Sequence, residues 1–185
     1  FASRADLLTA RDAWCADPTA AAATYGHIST WVVSAVTDLT AVFCAESPCS
    51  EAWCSDCNAA CSSFNDDISG WDVAQVTTLH STFQSASAFN QDLNAWDTSQ
   101  VTNLGVTFSE ASAFNQDVSA WNVSKVTDMG GTFHNTYALS DCHKAAIHAA
   151  WSANPKWSCS DVSVGGGCGN YGSWGGIGSC PPSPP

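Results

Sequence analysis

Hydrophobic residues recur along the middle of the chain at a fixed interval of 25 residues. Phe64, Phe89 and Phe114 define this interval, and the polar positions between them keep the same register. Each copy continues with apolar residues at Ile68, Leu93 and Val118; Trp71, Trp96 and Trp121; Val73 and Val123, where the middle copy has Thr98; Val76, Val101 and Val126; Leu79, Leu104 and Met129; and Phe83, Phe108 and Phe133. Such a pattern predicts copies that stack and share one continuous core.

A degenerate copy precedes these three, so the sequence predicts about four repeats. Its apolar positions are Ile28, Trp31, Val33, Val36, Leu39 and Phe43. It lies 40 residues before the next copy instead of 25, which indicates an insertion of fifteen residues. The insertion holds four cysteines, Cys49, Cys54, Cys57 and Cys61.

Within one copy, the spacing predicts a short strand followed by a short helix. Ile68, Trp71 and Val73 follow an L-x-x-L-x-L pattern, which favours a strand parallel to its equivalents in neighbouring copies. Leu79 and Phe83 are four residues apart, which suits one or two helical turns capped by Thr77. The predicted fold class is therefore an α/β solenoid: a short leucine-rich-repeat-like stack with parallel strands, helical caps at both ends and many disulfides.

The flanking segments predict these caps. Residues 1–24 form the predicted N-terminal helical cap, because Ser3-x-x-Asp6 resembles a capping box. The repeats occupy 25–139, with the cysteine-rich insertion at about 44–61. Residues 140–157 form the predicted C-terminal helical cap, which begins after Ser140 and ends near Pro155. Residues 158–185 form a glycine-rich and then proline-rich tail.

Composition narrows the classes of function. The chain has 185 residues with a net charge of −12 and only five basic side chains, which disfavours binding to nucleic acid or to anionic membranes. Ten cysteines in so compact a chain predict disulfides formed outside the cytosol. No apolar stretch is long enough to insert into a membrane. We expect a protein secreted to the extracellular space or cell surface, with its signal peptide already removed.

The repeat phrases carry a resemblance to a known family. They read "FNDDISGWDVAQVTTL", "FNQDLNAWDTSQVTNL" and "FNQDVSAWNVSKVTDM", and they resemble the repeats of BspA-like leucine-rich-repeat surface proteins. That resemblance covers about residues 1–157. It implies a leucine-rich-repeat-type solenoid at the cell surface, with adhesive or structural roles and no catalytic activity. The chain departs from the family pattern at Val32, and at Thr82, Thr107 and Thr132, where Met is frequent.

Three polar or aromatic ladders are candidate sites. Asp67, Asp92 and Asp117 recur at one position, where calcium between the carboxylates is the alternative to simple turn capping. The tryptophans form either a platform for sugars or, as we expect from their frame, part of the core. The exposed threonines are interpreted as helix N-caps, with an ice-binding array as the alternative: Thr37, Thr77, Thr102 and Thr127.

The cysteines are interpreted as disulfides, with a four-thiolate zinc site in the insertion as the alternative. The candidates are Cys15, Cys44, Cys49, Cys54, Cys57, Cys61, Cys142, Cys159, Cys168 and Cys180. Sequence alone does not fix their connectivity. Local pairing would join Cys15 to Cys44, Cys142 to Cys159, and Cys168 to Cys180.

No catalytic motif is present, and we expect neither an enzyme nor a cofactor. Asn122 begins an Asn-Val-Ser sequon and is a candidate N-glycosylation site if its side chain points outward. The end of the tail offers candidates for O-linked sugars at Ser183, Pro181, Pro182, Pro184 and Pro185.

These observations predict a secreted structural repeat protein that self-associates into a homopolymer, filament or wall layer. The alternative is an adhesin that binds glycans or a host protein through an open face of the repeats. An enzyme is the third and least favoured class.

Overall fold

A computed structural model describes residues 1–46 and 55–157 of the chain. It contains three α-helices: α1 (Arg4–Ala16), α2 (Pro18–Tyr25) and α3 (Asp141–Trp151). Short 3-10 helices occupy Ile28–Thr30, Ala59–Ser63 and Pro155–Trp157. The helix starts follow the sequence, because Ser3 accepts the Asp6 N–H ahead of α1 and Ser140 accepts the His143 N–H ahead of α3.

The predicted fold class, an α/β solenoid with parallel strands, is wrong. Between the helical ends, the described residues form no β-strand and no sheet. In the described residues, the β-type pairing between neighbouring repeats is limited to isolated parallel bridges. These bridges join Asp38 to Thr78, Thr78 to Asn103, and Asn103 to Asp128. The short helix predicted after Thr77 is also missing, because residues 79–85 run through successive turns.

The repeats are held together by what we call rung segments, residues 38–45, 78–85, 103–110 and 128–135. Along each of the first three rungs, every second N–H donates to a carbonyl of the next rung, as from Leu79 to Asn103 at 2.9 Å. The intervening N–H groups turn back within their own rung, as from Thr82 to the Leu79 carbonyl at 3.1 Å. This alternation gives directed pairing between rungs without the extended backbone that a strand requires.

The rung path requires a left-handed residue in every repeat. Ala41, Ser81, Val106 and Gly131 occupy the same position with φ of 57°, 56°, 48° and 64°. For a β-branched residue such as Val106 this conformation is a marked outlier, with a cost on the order of 1–3 kcal/mol. The repeated pairing on both sides of the rung holds the backbone in that conformation.

Stacked aromatic rings fill the interior at the repeat interval. Phe83 stacks on Phe108 with centroids 5.5 Å apart, and Phe108 stacks on Phe133 at 5.6 Å. A parallel ladder runs through Phe64, Phe89 and Phe114, with centroid spacings of 5.7 and 6.1 Å. Because identical rings repeat face to face, each repeat must keep the same length and register.

The tryptophans form a third ladder, and they point inward as the sequence predicts. Trp96 and Trp121 stack at 6.2 Å, and both are 3% exposed. In the second to fourth repeats, each buried indole N–H donates to a carbonyl of the preceding repeat, as from Trp121 to the Leu93 carbonyl at 2.8 Å. A sugar platform built on these rings is therefore excluded, since their faces are covered.

Buried threonines bridge the rungs at Thr82, Thr107 and Thr132, where the sequence departs from the BspA-like pattern that it resembles. Thr107 Oγ1 lies 2.7 Å from the Leu104 carbonyl and 2.9 Å from the Leu79 carbonyl of the preceding rung. Thr82 and Thr132 make the equivalent pair of contacts. In the first repeat, which has no rung before it, the equivalent residue is Val42, so a hydroxyl occurs only where a second carbonyl is available.

Helix α1 closes the N-terminal end of the stack with two arginines. In later rungs, the carbonyls of His80, Thr82 and Gln84 each accept an N–H from the preceding rung. Their equivalents in the first rung have no such neighbour. Instead, the Thr40 carbonyl accepts from Arg4, the Val42 carbonyl accepts from Arg11, and the Cys44 carbonyl accepts from the Asn58 N–H at 2.8 Å.

Helix α3 continues the interior at the other end. Trp151 stacks on Trp121 at 6.2 Å and lies against Phe133 at 5.8 Å, as Trp121 lies against Phe108 in the repeat before. Trp157 then meets the ring of Phe133 edge-on at 6.5 Å. The C-terminal cap thus extends the tryptophan ladder by one ring and ends the stack with a perpendicular one.

We expect the substitution Thr107→Val to destabilise the fold by about 1–2 kcal/mol, because it keeps the side-chain shape and removes the bridging hydroxyl. Chemical denaturation measures this loss. The matched control is Thr102→Val on the exposed surface, which should cost less because water can replace the lost hydroxyl. Equal losses for the two variants would contradict a bridging role for Thr107.

We expect Arg11→Met to destabilise the protein by about 3 kcal/mol, because it fills a similar volume and leaves buried carbonyls without a donor. Arg11 is 1% exposed, so water has little access to those carbonyls. Arg11→Lys keeps the charge without the forked geometry and should recover only part of the loss. Full stability of Arg11→Met in a denaturant titration would refute the capping role.

Candidate functional site

The outer surface of the repeats carries polar ladders, and the predicted aspartate ladder is one of them. Asp67, Asp92 and Asp117 each accept the backbone N–H two residues ahead, at 2.9, 2.8 and 2.8 Å. These contacts form Asx turns, which are the turn-capping arrangement. Hydrogen bonds from the Ser69 side chain and backbone lower the pKa of Asp67.

Two further Asx-type ladders follow along each repeat. In one, Asp72, Asp97 and Asn122 accept the N–H groups of Ala74, Ser99 and Ser124 at 3.2, 2.9 and 3.0 Å. In the other, Asp38, Asn103 and Asp128 accept the N–H two residues ahead at 2.7, 2.7 and 2.9 Å. Hydrogen bonds from the Ser99 backbone and side chain lower the pKa of Asp97. Each of these carboxylates uses one oxygen to accept a backbone N–H of its own turn.

An asparagine ladder links one repeat directly to the next. Asn65 Oδ1 accepts the Asn90 N–H, and Asn90 Oδ1 accepts the Asn115 N–H, both at 2.8 Å. The ladder ends at α3, where Ser140 N and His143 Nδ1 lie 2.8 and 2.9 Å from Asn115 Oδ1. These asparagines therefore make direct contacts between neighbouring repeats.

The exposed threonine ladder is not a set of helix N-caps, and that interpretation is wrong. Thr102 donates its N–H and its hydroxyl to the Thr77 carbonyl at 2.8 and 3.1 Å. Thr77 bonds to Thr37 in the same way, and Thr127 bonds to Thr102. Four threonines therefore form a regular, exposed line along one corner of the stack.

Comparison with known proteins identifies the family of these repeats. A family model described as "Mycoplasma protein of unknown function, DUF285" matches residues 18–146. The chain belongs to the DUF285 family. No curated protein and no solved structure matches it. The matched range contains all four repeats with their ladders and ends within α3.

One disulfide joins the insertion in the DUF285 repeats to the N-terminal cap, and a second joins the insertion to the first rung. Cys15 bonds to Cys61, and Cys44 bonds to Cys57. The predicted pairing of Cys15 with Cys44 is therefore wrong, and so is a zinc site made of four thiolates in the insertion. The 3-10 helix Ala59–Ser63 at the end of the insertion packs against α1, which brings Cys61 rather than Cys44 to Cys15.

The remaining cysteine predictions are only partly covered by the structure. Cys142 is disulfide-bonded. Its predicted partner Cys159 lies outside the described residues, as do Cys49, Cys54, Cys168 and Cys180. The two described bridges close loops that, by the chain-entropy account, contribute about 3–4 kcal/mol each.

The structure likewise describes only some of the glycosylation candidates. The Asn122 side chain is exposed, as its sequon requires, and its Oδ1 accepts the Ser124 N–H. The tail candidates at Ser183 and the neighbouring prolines lie outside the described residues.

Within the part of the chain that the structure describes, no group of three or more His, Cys, Asp or Glu side chains is arranged to hold a metal ion. Likewise, no described helix is long and apolar enough to cross a bilayer.

An open, polar cavity lies between α1 and residues Ser55–Ala59. It has a volume of about 310 Å³, and its walls include Thr9, Asp12 and Asn58. Arg11 also lines it, but its guanidinium already contacts two carbonyls of the first rung and the Asp56 carbonyl. Burial lowers the pKa of Arg11 while Asp12, 2.9 Å away, opposes the shift. The cavity therefore lies at the edge of the N-terminal cap, and the arginine in its wall already binds other groups of the protein.

His80 is the titratable group that the rungs enclose most closely. A Cβ atom at Gly105 would lie 2.8 Å from His80 Nδ1 and 3.1 Å from Asp128 Oδ2, so glycine is needed to make room for the imidazole. Burial lowers the pKa of His80, although Asp128 and Asp38 act in the opposite direction. At the equivalent position of the first repeat the residue is Thr40, which shows that the rung does not need a histidine.

The sequence patterns did not identify the arginines as capping residues, nor the space beside Gly105 that accommodates the His80 imidazole. Two of the five basic residues, Arg4 and Arg11, lie seven apart in α1. That spacing places them on one face of a helix, which is a usable signal. Their targets are backbone carbonyls, however, and nothing in the sequence identifies which carbonyls lack a partner.

The lowered pKa of His80 predicts a loss of stability in acid. Below the ordinary value of 6.5 the unfolded chain binds the proton more readily than the folded one, so the free energy of unfolding falls as pH decreases. We expect His80→Thr, which copies the first repeat, to weaken this dependence between pH 7.5 and pH 5.5. Denaturant titrations of both proteins at the two pH values measure it. An identical pH dependence would rule out His80 as the cause.

Proposed function

We propose that the protein is a secreted structural protein of the extracellular space or cell surface. It serves as a building block of a larger assembly, which it joins through the repeated outer surface of its stack. The observation that carries this proposal is the exposed threonine ladder, in which the same contact group recurs once in each repeat. A repeated surface presents one contact several times, so weak individual contacts add up.

The covalent and packed interior supports a structural role. One disulfide fastens the N-terminal cap to the insertion, a second fastens the insertion to the first rung, and Cys142 is disulfide-bonded near the other end. Disulfides persist in oxidising compartments outside the cytosol. Three aromatic ladders run through a core of buried side chains, which favours a stiff unit over a deformable one.

The closed N-terminal end supports assembly through the sides. Arg4, Arg11 and Asn58 already occupy the first-rung carbonyls that a preceding copy would need. End-to-end stacking of copies by rung pairing would therefore require α1 to leave. Contacts along the corners of the stack need no such rearrangement.

The resemblance of the repeat phrases to BspA-like surface proteins is consistent with this proposal. Some members of that group have adhesive or structural roles at the cell surface. The resemblance supports the location more than the mode of assembly, because it contains no information on which face makes contact.

Electron microscopy of native material and light scattering of the purified protein test the proposal. We expect polymers or layers in the native material and association that rises with protein concentration. Thr102→Arg places a bulky charge in the middle of the threonine ladder and should reduce association at least tenfold. The control Ser87→Arg adds the same group at an exposed residue away from the threonine ladder, whose hydroxyl donates to the Ser62 carbonyl, and should leave association unchanged.

Two outcomes would count against this function. A protein that stays monomeric at all concentrations, with no assembled native material, would refute self-association. Saturable binding of a sugar or a host protein by that monomer, in a glycan array or a pull-down, would instead favour the adhesin alternative. Equal effects of the two arginine variants would show that the threonine ladder is not the contact surface.

A further inference from the structure

The side-chain amide of Gln84, in the second rung, has a polar atom that lacks a partner. Gln84 is only 9% exposed, and its Nε2 donates a hydrogen bond to Glu46 Oε2. Its Oε1 is buried as well, yet within the described residues it accepts no hydrogen bond. Buried acceptors in folded proteins are nearly always satisfied, so an exception of this kind points to a bound group such as an ion.

Two carboxylates lie beside this amide. Glu46 directly follows the first rung and accepts the bond from Gln84. Glu110 ends the third rung, and its Oε2 lies 3.4 Å from Oγ of Ser85, the residue after Gln84. Burial raises the pKa of Glu46, and the charge of Glu110 raises it further, whereas the bond from Gln84 opposes the shift. The two carboxylates are therefore close enough to repel each other.

The atoms that these side chains offer to a cation are all oxygens. They are the two carboxylates, the amide oxygen of Gln84 and the hydroxyl of Ser85. Calcium takes about six to eight oxygen ligands and combines carboxylates, amide carbonyls and waters, whereas softer metals favour sulfur and imidazole. With only two carboxylates, the set differs from a cluster of three or more acidic or imidazole groups. Its chemistry favours a hard cation.

The four side chains lie at different depths. Gln84 is buried, Glu46 and Ser85 are half-buried, and Glu110 is exposed. A cation can therefore approach from the solvent beside Glu110 and reach the amide oxygen at the base of the group. The exposed side of the group leaves room for water molecules to complete the coordination, as is usual for calcium.

The combination occurs once in the stack. The residues equivalent to Gln84 in the other rungs are Cys44, Ser109 and His134, and those equivalent to Glu110 are Ala45, Ser85 and Asn135. None of these other rungs pairs a long amide with a neighbouring carboxylate. The group therefore predicts one ion per chain, in contrast to the aspartate ladders, which recur in successive repeats.

We propose that Glu46, Gln84 and Glu110 bind one calcium ion at the side of the first three rungs. Ser85 supplies a further oxygen. The ion offsets the repulsion between the two carboxylates, and it gives Gln84 Oε1 the partner that it lacks. Because the ligands belong to three successive repeats, the ion also ties the first rung to the third. This site does not depend on the proposed function.

Isothermal titration of the full-length, chelator-treated protein with calcium chloride tests the site. We expect one ion per chain, with a dissociation constant on the order of 0.1–1 mM, the range of extracellular calcium modules. Magnesium should bind more weakly, because it demands near-octahedral geometry and gives up its waters reluctantly. The melting temperature should rise with calcium concentration, since the ion binds the folded state. No binding up to about 10 mM calcium, tenfold above that range, or equal affinity for magnesium, would overturn the proposal.

Charge-matched variants locate the ion. Glu110→Gln keeps the shape of an exposed side chain and removes one carboxylate, so it should weaken calcium binding about tenfold or more. Glu46→Gln should do the same from the first rung. The control Asp97→Asn removes one charge from an exposed Asx turn, where the fourth repeat already has Asn122, and should leave the affinity unchanged.

Two results with these variants would contradict the site. Equal weakening in Glu110→Gln and Asp97→Asn would show that calcium is attracted diffusely by the acidic surface. Unchanged affinity in both glutamate variants would show that calcium binds elsewhere. Thermal unfolding of each calcium-free variant reports whether the stack remains folded, so that lost binding is not confused with lost structure.

Discussion

The direction of the hydrogen bonds between rungs is the constraint on which the other features depend. Each rung donates its N–H groups toward the C terminus and accepts through its carbonyls from the N-terminal side. Two ends of opposite character follow: one offers carbonyls and the other offers N–H groups. The N-terminal end is closed by arginines, since guanidinium groups are donors that carry no acceptor. A positive side chain at the other end could not play the same part.

The same directed pairing explains why the repeats are so alike. Rings stack at about the rung spacing, so a repeat of another length would break three ladders together. Thr107 shows the precision of the arrangement, because its hydroxyl serves the carbonyls of two rungs. Val42 is the informative exception. It has no earlier rung to contact, and the hydroxyl is absent there.

The sequence predicts the interval, the inward tryptophans, the aspartate turns and the helix starts at Ser3 and Ser140, since each depends on local spacing. It does not predict the path of the rung. Alternating apolar residues around Leu79 and Phe83 suit a helical turn or a strand, whereas the left-handed Ser81 and Val106 produce neither. The predicted pairing of Cys15 with Cys44 is wrong for a similar reason: the two are nearer in sequence, but the 3-10 helix Ala59–Ser63 packs against α1 and brings Cys61 to Cys15.

Charge limits which surface can support an assembly. A net charge of −12 opposes association of identical copies. Physiological salt screens this repulsion beyond about 8 Å, so the charges close to the contact surface matter most. Contact is therefore most favourable where carboxylates are sparse. The aspartate ladders present their remaining oxygens to solvent, so they oppose close approach of another copy. The threonine corner presents hydroxyls and methyl groups whose backbone partners lie within the stack, and neighbouring Lys125 bonds to Gln100 at 2.8 Å. Compared with the aspartate ladders, it is a surface that two acidic copies can bring together at a lower electrostatic cost.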